Sequence, residues 1–249
     1  MPDHEAWLTN WKGSPAVIAV DLAWREHMPD PSRPYLARVS FELVAPDEHG
    51  LPTIEEQRTL GDVGRRLDDE LVYQHDGAVV GWVTWQGRRD LFVYLPLPVP
   101  LEATLAALID PLAPEHAWSV AIREERDWQT YREVLLPDDP GMQQILTWRG
   151  VDELVKAGDN LSHPRPVRHL LWFPDEEKRE RLASRAEADG WRAWHAERVP
   201  DTDLPWGLVV ETVSPADRAT LQASADALYT LAIGLGGRYD GWTARPAGA

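Results

Sequence analysis

The stretch GLGGRYDGW, Gly234 to Trp242, decides how the C-terminal part of this chain folds. A glycine-rich phosphate-binding loop follows a strand and opens a helix, so that the positive end of the helix faces the anion. Here the glycines come after a predicted helix in which Leu221, Leu228 and Leu235 recur at helical spacing. We therefore interpret them as a helix C-cap and a turn into a last strand, RYDGWTA (238–244).

The residues before this stretch predict three further strands and two helices. DEEKRERLASRAEADG (175–190) has acidic side chains in its first turn and glycine at its end, as dipole and capping preferences require. SPAD (214–217) predicts the start of the next helix, with proline at the first helical position. The strands are VRHLLWF (167–173), WRAWHAE (191–197) and WGLVVETV (206–213). With the last strand, these elements follow the order βαββαβ, which is the ferredoxin-like motif.

Upstream of this module the sequence predicts a second domain, an α+β sandwich with an antiparallel or mixed sheet. Thr53 and Glu56 fit a capping box, in which each side chain accepts the other's free backbone N–H. Leu60 and Leu67 follow at helical spacing. The predicted strands are 15–24, 35–45, 78–86, 89–95 and 117–125, and the helices begin near Thr53, Pro100 and Pro140.

Charge is uneven along the 249 residues, whose formal net charge is −16. Residues 1–158 carry 27 acidic and 14 basic side chains, whereas the remainder carry 14 and 11. The shift near Gly158 predicts a boundary between an acidic α+β domain of unknown function, 1–157, and the ferredoxin-like domain, 158–249. A field of this sign repels a phosphate backbone and attracts basic proteins, so direct nucleic-acid binding is disfavoured.

Composition and motifs favour a cytoplasmic protein without a recognisable catalytic centre. No apolar run approaches a membrane span, and the N-terminus lacks a signal-peptide pattern. The absence of cysteine excludes disulfides and thiolate zinc sites, and no Walker loop, G-x-S-x-G or H-E-x-x-H sequence occurs. Asp159, His163 and His169 are close in sequence, but a strand and two prolines separate their directions. We therefore predict no metal site, no cofactor and no catalytic residue, and a polar network that ties this segment to the sheet.

The two central strands of the ferredoxin-like module are apolar on both faces. In 167–173, Leu171 alternates with Leu170 and Trp172, and 206–213 is also apolar on both sides. A ferredoxin-like module has helices on one sheet face only, so the sequence predicts that protein covers the other face. The cover is the N-terminal domain, a second copy of the chain in a homodimer, or a partner protein.

Several stretches carry a resemblance to known families. The βαββαβ order, PRPVRHLLWFPDEEKRERL (164–182) and above all GGRYDGW (236–242) are similar to the bacterial regulator of ribonuclease activity B (RraB) family. GDNLSHPRPVRH (158–169) resembles the entry to that domain when it is fused behind another one. Residues 1–157, which include WQTYREVLLPDD (128–139), resemble the companion family of unknown function DUF695.

The resemblance implies a non-enzymatic protein that binds and inhibits the endoribonuclease ribonuclease E. An acidic surface that faces a basic, RNA-binding segment suits this mode, because complementary charge gives fast and salt-sensitive association. This chain departs from that expectation, since most of its negative charge lies in the extra N-terminal domain.

The sequence also suggests which residues form a binding surface. The first and last strands are neighbours in a ferredoxin-like sheet, so Tyr239, Asp240 and Trp242 fall beside Arg165 and His169. The alternative is a structural corner, in which Asp240 accepts backbone N–H groups and Trp242 packs. The candidate binding residues are Asp159, Arg165, His169, Trp194, Tyr239, Asp240 and Trp242.

Two other functions fit parts of the sequence. A hydrolase or nucleotide-handling enzyme would place Asp159, Arg165, His169 and Asp240 around a site between the domains. A single-stranded RNA-binding protein would stack bases on Trp194 and Trp242 of the open sheet face. The missing motifs disfavour the first and the acidic field disfavours the second, so the sequence favours a regulator with a basic protein partner.

Overall fold

A computed structural model describes residues 4–196 and 198–247. The chain divides into two compact units, Met1–Asp138 and Asp139–Ala249. Each unit contains one antiparallel sheet and its own helices, which confirms the predicted two-domain α+β fold. Within the described residues, no helix has the length and apolar character needed to cross a membrane.

The N-terminal unit is built on a six-stranded sheet. Its strands are β1 (His4–Trp11), β2 (Ser14–Asp21), β3 (Tyr35–Glu42), β4 (Ala78–Trp85), β5 (Arg88–Leu95) and β6 (Trp118–Glu124). They lie in the order β1-β2-β4-β5-β3-β6. The sequence prediction missed β1. This edge strand buries only Trp7 fully, so its apolar alternation is weak.

Two helices, α1 (Ile54–Tyr73) and α2 (Glu102–Ile109), cover one face of this sheet with an apolar core. Thr53 caps α1 by accepting the backbone N–H of Glu56 at 3.3 Å. The reciprocal half of the predicted capping box does not form. Glu56 instead accepts the backbone N–H of Val44 at 2.6 Å, and its carboxylate lies 3.1 Å from Nε2 of His116.

The WQTYREVLLPDD segment packs on the opposite face of the same sheet. Trp128 stacks on Tyr94 with ring centroids 4.0 Å apart. The Tyr131 hydroxyl donates to the carbonyl oxygen of Asp21 at 2.8 Å. This segment therefore completes the sandwich that the sequence predicts for the unit.

The C-terminal unit contains a four-stranded antiparallel sheet. Its strands are β7 (Arg165–Phe173), β8 (Arg192–His195), β9 (Trp206–Ser214) and β10 (Arg238–Ala244). They lie in the order β10-β7-β9-β8, which is the ferredoxin-like arrangement and confirms the prediction. β8 is shorter than the predicted strand 191–197, of which Glu197 lies outside the described residues.

Helices α4 (Glu176–Ala188) and α5 (Arg218–Gly234) pack on one face of this sheet. Both begin at aspartate caps. Asp175 accepts the N–H of Lys178 at 2.9 Å, and Asp217 accepts the N–H of Thr220 at 3.0 Å. Because Asp217 is the cap, Pro215 precedes the helix and does not occupy its first position as predicted.

A further helix, α3 (Asp139–Lys156), belongs to the C-terminal unit. Its Val151 and Leu154 pack with Val167 and Leu221, on the same sheet face as the other two helices. The shift in charge predicts a domain boundary after Ala157, whereas the structure divides the chain after Asp138. Charge composition does not detect that an amphipathic helix packs with the elements that follow it.

Candidate functional site

The GLGGRYDGW stretch ends α5 in a Schellman cap. The N–H of Gly237 donates to the carbonyl of Ala232 at 2.8 Å, and the N–H of Gly236 donates to the carbonyl of Ile233 at 2.9 Å. Gly236 has a φ of +70°, the left-handed conformation that this cap requires. An added Cβ on Gly237 would lie 2.6 Å from the carbonyl oxygen of Trp172 in β7. The predicted cap and turn are confirmed.

A bulge in β10 turns Tyr239 and Trp242 toward the same side of the sheet. Tyr239 pairs with Leu171 and Trp242 pairs with His169, and the register shifts between the two pairs. In a regular strand, residues three apart would face opposite sides. The bulge places both aromatic side chains on the helical side, where Trp242 packs with the apolar residues of α3.

His169 is buried beneath the helices together with Tyr239. Its Nδ1 lies 2.8 Å from the Tyr239 hydroxyl, and its ring centroid lies 5.6 Å from that of Trp191. Burial lowers the pKa of His169 to about 4. Burial also raises the pKa of Tyr239. Both groups are therefore neutral at pH 7, and the contact between them is a hydrogen bond between uncharged groups inside the core.

We expect this histidine to make the C-terminal unit sensitive to acid. The unfolded chain takes up the imidazole proton near the ordinary pKa of about 6.5, whereas the folded unit resists protonation down to about pH 4. The free energy of unfolding should therefore fall by about 2 kcal/mol between pH 7 and pH 5. Urea unfolding at both values measures this loss. His169→Gln should abolish that part of the pH dependence, and an unchanged dependence in this variant would contradict the assignment.

Asp159 and Arg165 hold the segment that enters β7. Their side chains form an ion pair at 2.5 Å and are almost completely buried. Arg165 also donates to the carbonyl of Asn160 at 2.5 Å, and Asp159 accepts the N–H of Ala247 at 3.0 Å. The hydrogen bond from Arg165 holds the pKa of Asp159 below its ordinary value. The pair joins the entry segment to the first residue of β7 and, through Ala247, to the C-terminal tail.

The sheet face opposite the helices is an apolar and arginine-bearing surface, here termed the open sheet face. In the described part of the C-terminal unit, the three helices pack on the other face. The loop 199–204 borders the open sheet face at Trp172. Trp194 is 36% exposed and Val213 is 67% exposed. The open sheet face comprises Arg168, Leu170, Trp172, Arg192, Trp194, Val209, Glu211 and Val213.

Three charged side chains cross this face in register. Arg168 and Arg192 both stand opposite Glu211, one on each neighbouring strand. Nε of Arg168 lies 2.7 Å from Oε2 of Glu211, and Nη1 of Arg192 lies 3.4 Å from Oε1. The guanidinium of Arg168 also lies 5.5 Å from the ring centroid of Trp194. The two guanidinium groups thereby compensate the negative charge of the buried Glu211 carboxylate. The exposed groups on this face are arginine, tryptophan and valine.

Trp172 and Asp240 form one corner of the open sheet face. The indole N–H of Trp172 donates to Asp240 at 3.1 Å, and Arg238 lies 3.5 Å from the same carboxylate group. The Trp172 ring packs against Gly207. A Cβ added to Gly207 would lie 2.9 Å from this ring. Asp240 therefore bonds to side chains, not to the backbone N–H groups that the structural alternative predicts, whereas Trp242 packs as that alternative predicts.

The structure distributes the seven predicted binding residues among three places. The positions are the β7 entry (Asp159, Arg165), the helical side of the sheet (His169, Tyr239, Trp242) and the open sheet face with its corner (Trp194, Asp240). Sequence reasoning missed Arg168, Arg192 and Glu211. Strand alternation was the available signal, but only the register between strands brings these three side chains together.

Family models match both parts of the chain. Residues 5–136 match the model described as "Family of unknown function (DUF695)". Residues 146–243 match the model described as "Regulator of ribonuclease activity B". Both resemblances predicted from the sequence are confirmed. The second match begins inside α3, which agrees with the inclusion of that helix in the C-terminal unit.

No curated protein matches the chain. Among solved structures, an unknown protein from Galdieria sulphuraria has 11% identity and a TM-score of 0.23, covering 86% of this chain and 98% of that chain. A candidate glycine cleavage system transcriptional repressor has 12% identity and a TM-score of 0.22, covering 85% and 98%. Scores this low carry no structural argument.

Proposed function

The chain belongs to the family of unknown function DUF695, and because its C-terminal unit also matches the ribonuclease-regulator family, we propose that it regulates a ribonuclease. The partner is an endoribonuclease of the ribonuclease E type, which the chain binds and inhibits in the cytoplasm. The match of residues 146–243 is the observation that carries this proposal. It acts through binding, and none of its own residues is assigned to catalysis.

The open sheet face is the surface proposed to contact the ribonuclease. Protein interfaces are enriched in tryptophan and arginine and depleted in lysine and acidic residues at their cores. The open sheet face follows this composition, since Trp194, Arg168 and Arg192 are its exposed large side chains and Glu211 is buried between the arginines. Its apolar members supply the area that must be removed from water.

The N-terminal unit is proposed to contribute long-range attraction. Residues 1–138 carry 24 acidic and 12 basic side chains, so most of the excess negative charge of the chain lies in this unit. The RNA-binding regions of ribonucleases are basic, so an acidic partner is drawn to them, and salt weakens this attraction. In this arrangement the open sheet face sets specificity and the N-terminal unit accelerates encounter.

An RNA-cleavage assay tests the proposal. Purified full-length protein should reduce the rate at which a ribonuclease E-type enzyme cleaves a labelled RNA, in a dose-dependent and saturable way. An unrelated ribonuclease on the same RNA is the control and should be unaffected. Equal inhibition of both enzymes would indicate that the chain sequesters RNA, and no inhibition of the first would contradict the proposal.

Single-stranded RNA is a second candidate ligand of the open sheet face. Trp194 is exposed beside Arg168, and bases stack on such aromatic and guanidinium planes. The net charge of −16 opposes this candidate. We expect a single-stranded RNA to leave tryptophan fluorescence unchanged at low salt. Saturable quenching that is lost in Trp194→Ala would favour RNA over protein as the ligand.

A further inference from the structure

The N-terminal unit contains an apolar groove along one flank of α1, in a different unit from the open sheet face. Its volume is about 260 Å³. The walls are mainly apolar and include Leu60, Leu67, Val79, Trp82 and Leu91. Pockets that hold small molecules are concave and mostly apolar, with a few polar groups that fix orientation.

Four residues at helical spacing place the groove on one face of α1. Gln57, Gly61, Gly64 and Asp68 follow the spacing i, i+4, i+7 and i+11, and all of them line the groove. This face of α1 therefore carries a polar side chain at each end, Gln57 and Asp68, and only the two glycines between them. The rise of an α-helix separates Gln57 from Asp68 by about 16 Å, so the groove is elongated.

Neither glycine is required by the local backbone or by a close contact. An added Cβ on Gly64 would meet nothing within 4 Å, and one on Gly61 would meet only the end of Arg65 at 3.9 Å. Gly150 of α3 differs, because an added Cβ there would lie 2.8 Å from the ring of Trp242. Glycine in a helix interior is unfavourable relative to alanine. The two α1 glycines therefore leave space for a ligand in the groove, although they lower the stability of the helix.

Arg89 supplies a buried cation at the Gln57 end of the groove. It is only 7% exposed. Its Nε donates to Thr84 at 2.8 Å and its Nη2 donates at 2.5 Å to Gln57, both neutral acceptors. Among the described residues no carboxylate lies within ion-pair distance of it, and its Nη1 has no hydrogen-bond partner. Burial lowers the pKa of Arg89 to about 10, so the guanidinium stays charged at pH 7. The carboxylate of Glu56 attracts this guanidinium from beyond ion-pair distance but already accepts the N–H of Val44, so the unbonded Nη1 is left for an anion in the groove.

Asp68 makes the two ends of the groove different in charge. It lies at the opposite end, near His4, which packs against Trp82 with ring centroids 4.9 Å apart. Burial raises the pKa of Asp68. Arg65 also lines the groove, but it is paired with Asp62. A carboxylate ligand is therefore repelled by Asp68 and attracted by Arg89, and its charged group belongs at the Arg89 end.

We propose that this groove binds an elongated apolar monocarboxylate, with the carboxylate on Arg89 and the hydrocarbon chain along Gly61 and Gly64. The apolar walls accept the chain, the glycines give it room, and Nη1 of Arg89 is the donor for the head group. The ligand class is that of medium-chain fatty acids. This inference concerns the N-terminal unit and does not depend on the ribonuclease proposal.

Isothermal titration of the full-length protein with octanoate tests the inference, with 1-octanol as the matched probe that lacks the carboxylate. Octanoate should bind saturably at one site and at least tenfold more tightly than 1-octanol. Gly64→Leu fills the groove and should weaken octanoate binding at least tenfold. Arg89→Gln should remove the preference for octanoate over 1-octanol.

Gly234→Leu is the matched control, because Gly234 is a helical glycine with nothing within 4 Å of an added Cβ and lies in the other unit. It should bind octanoate like the wild type. Circular dichroism reports whether each variant is folded, and the wild-type comparison of the two probes does not depend on any variant. The proposal is overturned if the wild type does not bind octanoate, if 1-octanol binds as tightly, or if folded Gly64→Leu binds octanoate like the wild type.

Discussion

Replacing Gly237 by alanine should destabilise the C-terminal unit by about 3 kcal/mol, although only one methyl group is added. The new Cβ would lie 2.6 Å from the carbonyl oxygen of Trp172 and 2.7 Å from the ring of Phe173. The first contact is with backbone, so no side-chain rotation relieves it. Urea unfolding measures the loss, and faster hydrogen exchange in peptides from residues 165–244 assigns it to this unit.

The two neighbouring glycines provide graded controls. Gly236→Ala should cost about 1 kcal/mol, because Gly236 has a φ of +70°. Gly234→Ala should be neutral or stabilising by up to about 1 kcal/mol, since it is helical and has open space around it. Equal losses at the three positions would contradict the assignment of separate structural roles in the Schellman cap.

The largest functional effect is expected on the open sheet face. The double variant Trp194→Asp, Val213→Asp should bind the ribonuclease at least about 30-fold more weakly, a loss of about 2 kcal/mol. It places two carboxylates in the apolar part of the surface, and interface cores exclude acidic groups. Surface plasmon resonance with immobilised ribonuclease measures the change, which should appear mainly in the dissociation rate.

Ile233→Asp is the matched control for this variant. Ile233 is 50% exposed and lies on α5, on the other side of the same unit. It adds a carboxylate at a similarly exposed apolar position, so it should change the affinity less than threefold. A comparable loss in the control, or unchanged binding in the double variant, would show that the open sheet face is not the contact surface.

The fold of the C-terminal unit was predictable because local signals agree with one another there. The aspartates before α4 and α5, the glycines after α5 and the period-two strands all specify the same βαββαβ order. The sequence did not predict the unit to which α3 belongs or the presence of β1, because neither is determined by local sequence signals. α3 joins the C-terminal unit through contacts of Val151 and Leu154 with residues distant in sequence, and β1 is an exposed edge strand with little apolar alternation.

The candidate site was only partly predictable, because strand register is a property of pairs of strands. Tyr239 and Trp242 were expected beside His169, and the bulge at Gly241, with a φ of +98°, determines that both face the helices. The alignment of Arg168 and Arg192 with Glu211 follows from two separate pairings. Neither the bulge nor the alignment is visible in any single stretch of sequence.

Direct association with a ribonuclease tests the central claim. Isothermal titration should be performed with the purified full-length chain and a purified ribonuclease E-type endoribonuclease, at low and at high ionic strength and without RNA. The account predicts a saturable complex at low ionic strength that weakens as salt is added. Absence of binding heat at low ionic strength, with both proteins folded and the nuclease active, would contradict it.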